Sequence, residues 1–202
     1  MTKLDIHYTI KQVNSICVKN STFYDPNLWI FLDEERILNY ASFLKSISST
    51  KLVGVVVRSK NKKNLYNKAK QVTRICRSKG FKVFISSCPL VAMSVGADGV
   101  HYSQEYRKGR LYSSLSYSCS FHKFSDIRRT IDLKVKRVFI SPVFKTSSSV
   151  LKKPIGLTRL LFLSRLLKCE IGVLGGVNKK NLRTLRKKNI SYIGGVSIFF
   201  SS

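Results

Sequence analysis

Acidic side chains are scarce in this sequence. Its 202 residues include 10 aspartates and glutamates against 37 lysines and arginines, which gives a formal net charge of +27. A chain this basic is a candidate to bind nucleic acid, an anionic membrane surface or phosphorylated metabolites. The cations are spread over nearly every segment, and no aromatic residues interleave with the densest clusters, at 60–63 and 183–189. We therefore interpret the charge mainly as a solvated surface, with nucleic-acid binding kept only as a minority hypothesis.

Paired cysteines and long apolar runs are also missing. The five cysteines, at 17, 76, 88, 119 and 169, are odd in number and none has CxxC spacing, which argues against a disulfide framework and a zinc site. No apolar run approaches the length that spans a bilayer. The first 20 residues contain no continuous apolar core or small-residue cleavage site, so no signal peptide is predicted. These absences favour a reducing cytoplasm without membrane contact.

A single globular domain is expected from the length and from a hydrophobic content of 44%. Residues 1–27 are polar and show no periodicity, so we expect them to form an N-terminal extension. Residues 28–202 are expected to form the domain itself.

From residue 28 onward, short apolar runs alternate with stretches of helical spacing. Most runs are continuous rather than alternating in polarity, as expected of strands covered on both faces of a parallel sheet. Eight strands are predicted: LWIFL at 28–32, LVGVVV at 52–57, KVFIS at 82–86, GVHY at 99–102, LYSSLSYS at 111–118, RVFIS at 137–141, EIGVL at 170–174 and YIGGVSIF at 192–199.

The strict alternation of strands and helices predicts a compact (β/α)₈ TIM barrel. An open doubly wound sheet is the alternative, although no glycine fingerprint follows the first strand. The last barrel helix is expected to be truncated, because the chain ends soon after strand 8. In the fourth predicted helix, Ser125 is the expected N-cap. The predicted helices are 37–47, 64–80, 89–96, 124–132, 156–167 and 181–188.

Glycines and polar residues follow the last two predicted strands, at the end of a barrel where chemistry takes place. Strand 7 leads into Gly175 and Gly176, and strand 8 carries Val196 and Ser197. Glycines let the backbone approach a ligand closely, and a helix after Asn178 would aim N–H groups at the same place. Because these two loops commonly bind phosphate in such barrels, we predict a phosphate site here in preference to a plain tight turn.

Four consecutive hydroxyl residues, 146–149, follow strand 6. The stretch is either a disordered surface loop or a lip of hydrogen-bond donors over an anionic ligand. Taken alone, its composition favours the disordered loop.

Five stretches together resemble the thiamine phosphate synthase and thiazole tautomerase (TENI) family, in order and spacing over roughly residues 28–200. Each motif is weak alone, since glycine-ended strands are common, but five in register are specific. The resemblance implies a barrel that handles a thiazole phosphate and, in the synthase, couples it to an aminomethylpyrimidine pyrophosphate. The stretches are GADGVHYSQE at 96–105, SFHKFSDI at 120–127, FISPVFKTSSS at 139–149, VLGGVN at 173–178 and GGVSI at 194–198.

The resemblance also implies roles for single residues. Thr146 and Ser148 fall at the positions of two threonines that contact phosphorylated substrates, which favours the donor lip for this loop. His122 falls where the tautomerases place a proton-shuttling histidine, and an imidazole suits acid–base chemistry near neutral pH. His101, within strand 4, is interpreted as a packed structural histidine.

Magnesium ligands of the family are missing from this chain. Where the synthases carry the two aspartates, it has Ser87 and Tyr106, and of those neighbours only Glu105 offers a carboxylate. Magnesium requires hard oxygen ligands. Arg58 and Lys60 keep the basic pattern after strand 2 and would stabilise a departing pyrophosphate. We therefore predict no firm cofactor, with magnesium binding only together with pyrophosphate.

The main functional hypothesis is a thiamine phosphate synthase-like transferase of thiamine biosynthesis. Its partners would be a small phosphorylated thiazole and, for coupling, a pyrimidine pyrophosphate. The alternatives are a thiazole tautomerase that acts through His122, or a non-catalytic protein that binds a thiamine precursor or an anionic partner.

Overall fold

The computed structural model describes residues 3–17, 25–32, 37, 39–59, 61–106, 110–146, 153–186, 188–195 and 198. Its strands are β1 Leu28–Phe31, β2 Val53–Val57, β3 Lys82–Ser86, β4 Gly99–Tyr102, β5 Ser116–Phe121, β6 Arg137–Ile140, β7 Glu170–Val173 and β8 Tyr192–Gly194. Its helices are α1 Lys3–Ile16, α2 Tyr40–Ser46, α3 Lys62–Lys79, α4 Pro89–Ser94, α5 Asp126–Asp132 and α6 Gly156–Leu166, with a 3₁₀ helix at Leu182–Leu185.

The eight strands form a closed barrel in sequence order, and every pair of neighbours is parallel. Closure is direct, because Leu28 of β1 pairs with Val53 of β2 on one side and with Ile193 of β8 on the other. The predicted (β/α)₈ barrel is therefore confirmed, and the open sheet is excluded. None of the described helices has the length and apolarity needed to cross a bilayer.

Aromatic rings fill the barrel interior, and glycines on the strands make room for them. At each of four strand glycines, an added Cβ would lie within 3 Å of a neighbouring ring. The interior is thus packed by large side chains set against positions that have none, which leaves no pore. The pairs are Gly54 with Trp29, Gly99 with Phe84, Gly172 with Phe139 and Gly194 with Phe31.

An ion cluster closes the amino-terminal end of the barrel. The Arg137 guanidinium, at the start of β6, donates to the Asp25 carboxylate and to the Tyr192 hydroxyl, the latter at 3.0 Å. It also lies 3.4 Å from the Glu170 carboxylate. Lys82 donates to the second oxygen of Asp25 at 2.8 Å. Asp25 and Arg137 are both buried, so this cluster belongs to the core at the end opposite the predicted site.

The N-terminal segment contains a helix with a buried apolar side. Residues 3–16 form α1, and one side of this helix carries Ile6, Ile10, Val13 and Ile16, all of which are buried. The helix packs against β1 and the 3₁₀ helix. Its apolar residues recur at helical spacing between polar ones, a weak periodicity that the description of residues 1–27 as non-periodic left out.

Two predicted strands differ from the observed ones. Strand 5 was placed at 111–118, whereas β5 spans Ser116–Phe121 and pairs Gly99 with Ser116. Both stretches alternate in polarity, so the pattern could not choose between them. Strand 8 was predicted to run to 199, but β8 ends at Gly194; the expected truncation of the last helix concerns residues mostly outside the described ones.

Candidate functional site

The carboxyl ends of the strands bring several predicted site residues to one end of the barrel. Arg58 follows β2, His122 follows β5, Thr146 lies in the loop after β6, and Gly175 and Gly176 follow β7. The other predicted site residues, Lys60, Ser148, Val196 and Ser197, lie outside the described part of the chain.

His122 is anchored by both its backbone and its ring. Its N–H donates to the Asp126 carboxylate at 2.8 Å, and its ring Nδ1 lies 2.6 Å from the Ser141 carbonyl oxygen at the end of β6. A carbonyl oxygen only accepts, so Nδ1 must carry the proton. In the neutral ring, Nε2 is then the nitrogen that bears the lone pair, as a proton acceptor requires.

His101 is a packed interior histidine, as predicted. Its two ring nitrogens each lie 2.9 Å from a serine hydroxyl, of Ser118 and of Ser120. Burial, reinforced by the nearby charges of Arg58, Arg129 and His122, lowers the pKa of His101 to about 3. The ring is therefore neutral at physiological pH and serves to hold the two serines.

Acidification is expected to destabilise the protein through His101. The pKa of this group falls from 6.5 to about 3 on folding. Between those values only the unfolded chain binds the proton, so the free energy of unfolding decreases by about 1.4 kcal/mol per unit of falling pH. This contribution is fully present above pH 6.5 and is lost as the pH falls towards 3. Urea unfolding from pH 7.5 to pH 4.5 should show a flatter pH dependence for His101→Gln than for wild type.

The exposed His7 on α1 supplies the matched control, because His7→Gln removes an imidazole without changing a buried one. Its pH dependence should follow that of wild type. If the free energy of unfolding changes equally with pH in His101→Gln and in wild type, His101 is not the buried group that causes the pH dependence.

The loop after β7 presents three successive backbone N–H groups. Gly175 and Gly176 have φ angles of 85° and 72°. The N–H groups of Gly175, Gly176 and Val177 have no acceptor within the described ranges. Successive N–H groups in such a turn form a concave anion-binding surface. This surface is the feature of the loop that suits a phosphate.

The helix expected after Asn178 does not contribute free donors. The chain there forms only a four-residue 3₁₀ helix. The N–H of Asn178 donates to the Asn181 side chain at 2.9 Å, and the N–H groups of Lys180 and Asn181 donate to the Asn178 side chain at 3.0 Å. That part of the prediction was wrong, because two asparagine side chains take up the donors.

The two glycines are required by contact between loops. A Cβ on Gly176 would lie 2.4 Å from the Lys145 carbonyl oxygen, and one on Gly175 would lie 2.8 Å from Pro142. The Gly175 carbonyl also accepts the Phe144 N–H at 3.1 Å. The glycines were predicted to allow close approach by a ligand, and the structure shows that they also allow close approach by the loop after β6.

At two positions where the resemblance implies magnesium ligands, Ser87 and Tyr106, the side chains contact other residues of this chain. The Ser87 hydroxyl donates to the Ser103 hydroxyl at 3.1 Å and accepts the Ser103 N–H at 3.0 Å. The Tyr106 ring stacks on Tyr102 at 4.7 Å, on the outer side of β4, and Glu105 is exposed. Across the described residues, no three His, Cys, Asp or Glu side chains form a group that could hold a metal.

Sequence reasoning missed two buried residues beside His122. Asp126 and Arg129 lie one turn apart at the start of α5, and both are buried. Ser125 is the N-cap residue of α5, as predicted, but its side chain makes no capping hydrogen bond to the described part of the chain. The sequence signal for this buried pair was the spacing of Asp126 and Arg129, which are oppositely charged and three residues apart. Such spacing is common on solvent-exposed helices, so it did not indicate burial.

Comparison with known proteins gives a consistent result. The family model described as thiamine monophosphate synthase (TMP-TENI) matches residues 33–199. The thiamine-phosphate synthase of Persephonella marina is 27% identical over 186 residues, covering 87% of this chain and 88% of that protein. The putative thiamine-phosphate synthase 2 of Aquifex aeolicus is 26% identical over 181 residues, covering 86% and 97%. A Prochlorococcus marinus synthase is 25% identical over 202 residues, but the match covers only 55% of its length.

Among solved structures, thiamine phosphate pyrophosphorylase from Pyrococcus furiosus superposes with a TM-score of 0.66 at 17% sequence identity. The superposition covers 86% of this chain and 90% of that one. At this identity the likeness supports the fold.

Proposed function

The chain belongs to the thiamine monophosphate synthase family, and from that premise we propose that it binds a phosphorylated thiazole at the carboxyl end of the barrel and couples it to an aminomethylpyrimidine pyrophosphate. The observation that carries the binding step is the row of N–H groups from Gly175 to Val177. These donors are fixed by the fold before a ligand arrives, so an anion binds without reordering the loop.

In the proposed coupling, the bond between the pyrimidine methylene carbon and the pyrophosphate oxygen breaks, and its electron pair leaves with pyrophosphate. The thiazole nitrogen lone pair then forms the new carbon–nitrogen bond. The protein contributes alignment and charge: the glycine loop holds one partner, and Arg58 and Lys60 stabilise the departing pyrophosphate. Thr146 and Ser148 would add hydroxyl donors beside the thiazole phosphate.

A second candidate, thiazole tautomerisation, is favoured by the His122 ring. This reaction requires neither a metal nor a pyrophosphate. It needs a base whose proton-accepting nitrogen is kept unprotonated, so the imidazole must stay in one tautomer. The hydrogen bond from Nδ1 to Ser141 provides that condition. Nε2 would remove a proton from the thiazole and return it at another position, so the reaction is a net isomerisation.

Two assays on one preparation distinguish these reactions. Incubation with both phosphorylated precursors, with and without magnesium, reports coupling as thiamine phosphate formation. Incubation with the thiazole phosphate alone in ²H₂O reports tautomerisation as proton exchange by NMR. We expect coupling only when both substrates are present. If calorimetry shows that thiazole phosphate binds but neither reaction occurs, the protein is a non-catalytic binding protein. If thiazole phosphate does not bind, the proposal is overturned.

Magnesium, in this proposal, arrives only with the pyrophosphate. Ser87 and Tyr106 are engaged elsewhere, so the free protein offers too few hard oxygen ligands to offset dehydration of the ion. We also place the enzyme in the cytoplasm, since its five cysteines are free thiols.

Gly176→Ala is expected to lower the affinity for thiazole phosphate by on the order of tenfold or more, which is about 1.4 kcal/mol. The added Cβ would meet the Lys145 carbonyl oxygen at 2.4 Å. Relief of this collision would displace the loop that carries the N–H groups. Isothermal titration calorimetry measures the effect.

Gly156→Ala is the matched control. Gly156 also has a positive φ, of 77°, but a Cβ there would meet nothing within 4 Å. Both variants therefore carry similar backbone strain and only one carries the collision. Equal affinities in the two variants would contradict the assignment of the phosphate site to this loop.

A further inference from the structure

A buried ion pair lies beside His122, in the first turn of α5. The Arg129 guanidinium donates through Nη1 to the carbonyl oxygens of Ser103 and Tyr106, at 3.0 and 3.3 Å, and through Nη2 to that of Ser120. Arg129 is 3% exposed. The planar guanidinium of Arg129 thus connects the loop after β4 to the end of β5 by hydrogen bonds.

Asp126, the other member of the pair, holds the chain at His122. Its Oδ2 accepts the N–H of His122 at 2.8 Å and the N–H of Lys123 at 3.2 Å. Among the described residues, its Oδ1 has no hydrogen-bond partner and lies 3.9 Å from Arg129 Nε, which has none either. The carboxylate is fully buried, so the nearby guanidinium is what balances its charge.

We infer that Asp126 and Arg129 form a positioning pair that fixes the tautomer of His122. The carboxylate sets the backbone of His122, and that backbone places ring Nδ1 within 2.6 Å of the Ser141 carbonyl. If the pair is lost, the ring is no longer directed at this carbonyl, and the proton can move to Nε2. Neither residue would touch the substrate. The inference rests on the proposed function only in taking His122 as the reactive group.

A purely structural role is the competing explanation. A buried pair often contributes little net stability compared with apolar side chains of the same size, and removal of one member is costly in either case. Loss of stability therefore cannot distinguish the two roles. The tautomer of His122 can distinguish them. If the pair only stabilised the helix, its loss would not change which ring nitrogen of His122 carries the proton.

Long-range ¹H–¹⁵N NMR spectra report the tautomer directly, and the chain has only three histidines to assign. Above pH 7.5, wild-type His122 is expected to be the Nδ1–H tautomer, and Arg129→Gln to show a mixture. Arg129→Lys, which keeps the charge beside Asp126, should recover most of the wild-type pattern. Arg128→Gln is the control, since Arg128 lies on the same helix with its side chain 88% exposed.

Three results would overturn the inference. One is an Nε2–H tautomer of His122 in the wild-type protein, which needs no variant. Another is a folded Arg129→Gln protein with an unchanged tautomer. If that variant does not fold, an unchanged tautomer in folded Asp126→Asn has the same meaning.

The spectra require no substrate, so they decide the inference even if the protein is inactive in both assays. In an active protein, we expect Arg129→Gln to lower kcat by about tenfold or more with KM nearly unchanged, because an interaction used in the reaction rather than in binding is lost. A change confined to KM would instead assign the pair to substrate binding.

Discussion

His122→Ala is expected to lower the turnover of thiazole tautomerisation by roughly 10²–10⁴-fold while the affinity for thiazole phosphate is largely kept. The expected loss is large because no other described imidazole can take over. His101 has a pKa of about 3 and both of its nitrogens lie against serine hydroxyls. His7 lies on α1, outside the barrel. Single-turnover NMR in ²H₂O measures the chemical step, and calorimetry measures binding.

His7→Ala, at an exposed position, serves as the control and should match wild type. If the protein acts only as a synthase, His122→Ala should lower the turnover of the coupling reaction much less, because that reaction depends on charge and on alignment of the substrates. An absence of tautomerisation by the wild-type protein would eliminate this role of His122.

Arg137→Met is expected to destabilise the protein by about 3–5 kcal/mol, the usual cost of removing one member of a buried ion pair. The substitution removes the guanidinium that contacts both Asp25 and Glu170. Lys82 would still pair with Asp25. Among the described residues, the Tyr192 hydroxyl alone would still donate to the Glu170 carboxylate. Urea unfolding at pH 7 measures the change.

Arg128→Met is the control for side-chain type, because its ion pair with Asp132 is exposed and should contribute less than about 1 kcal/mol. The double variant Arg137→Met with Asp25→Asn should be destabilised by less than the sum of the two single variants, because each single substitution already removes the ion pair between the two residues. Strict additivity would mean that the two groups do not interact. Since the cluster lies at the far end of the barrel, turnover per folded molecule should not change in Arg137→Met.

The barrel could be predicted from sequence because its signal is local. Continuous apolar runs such as those at 52–57 and 82–86 indicate strands buried on both faces, and their alternation with helical stretches leaves few topologies. His122 and the glycines at 175 and 176 could be placed at one end for the same reason. In a parallel barrel, all carboxyl ends of the strands share one face.

Other features depended on partners that are distant in the chain. Strand 5 could not be located from its alternating pattern, and its position is set by pairing of Gly99 with Ser116 and of Ser118 with Arg137. The contact that excludes a side chain at Gly176 could not be predicted, because the Lys145 backbone that forms it lies more than thirty residues earlier in the chain.

The sequence alone thus determined the fold class, the family resemblance and the end of the barrel at which chemistry is expected, since each follows from local periodicity and motif order. Only the tertiary structure decided that Tyr106 faces outward onto Tyr102 and that Arg129 holds three carbonyls from two segments. It also decided that His122 carries its proton on Nδ1. The physical reason is that hydrogen bonds and buried charges are satisfied by whichever groups the closed barrel brings near, and spacing along the chain does not encode that proximity.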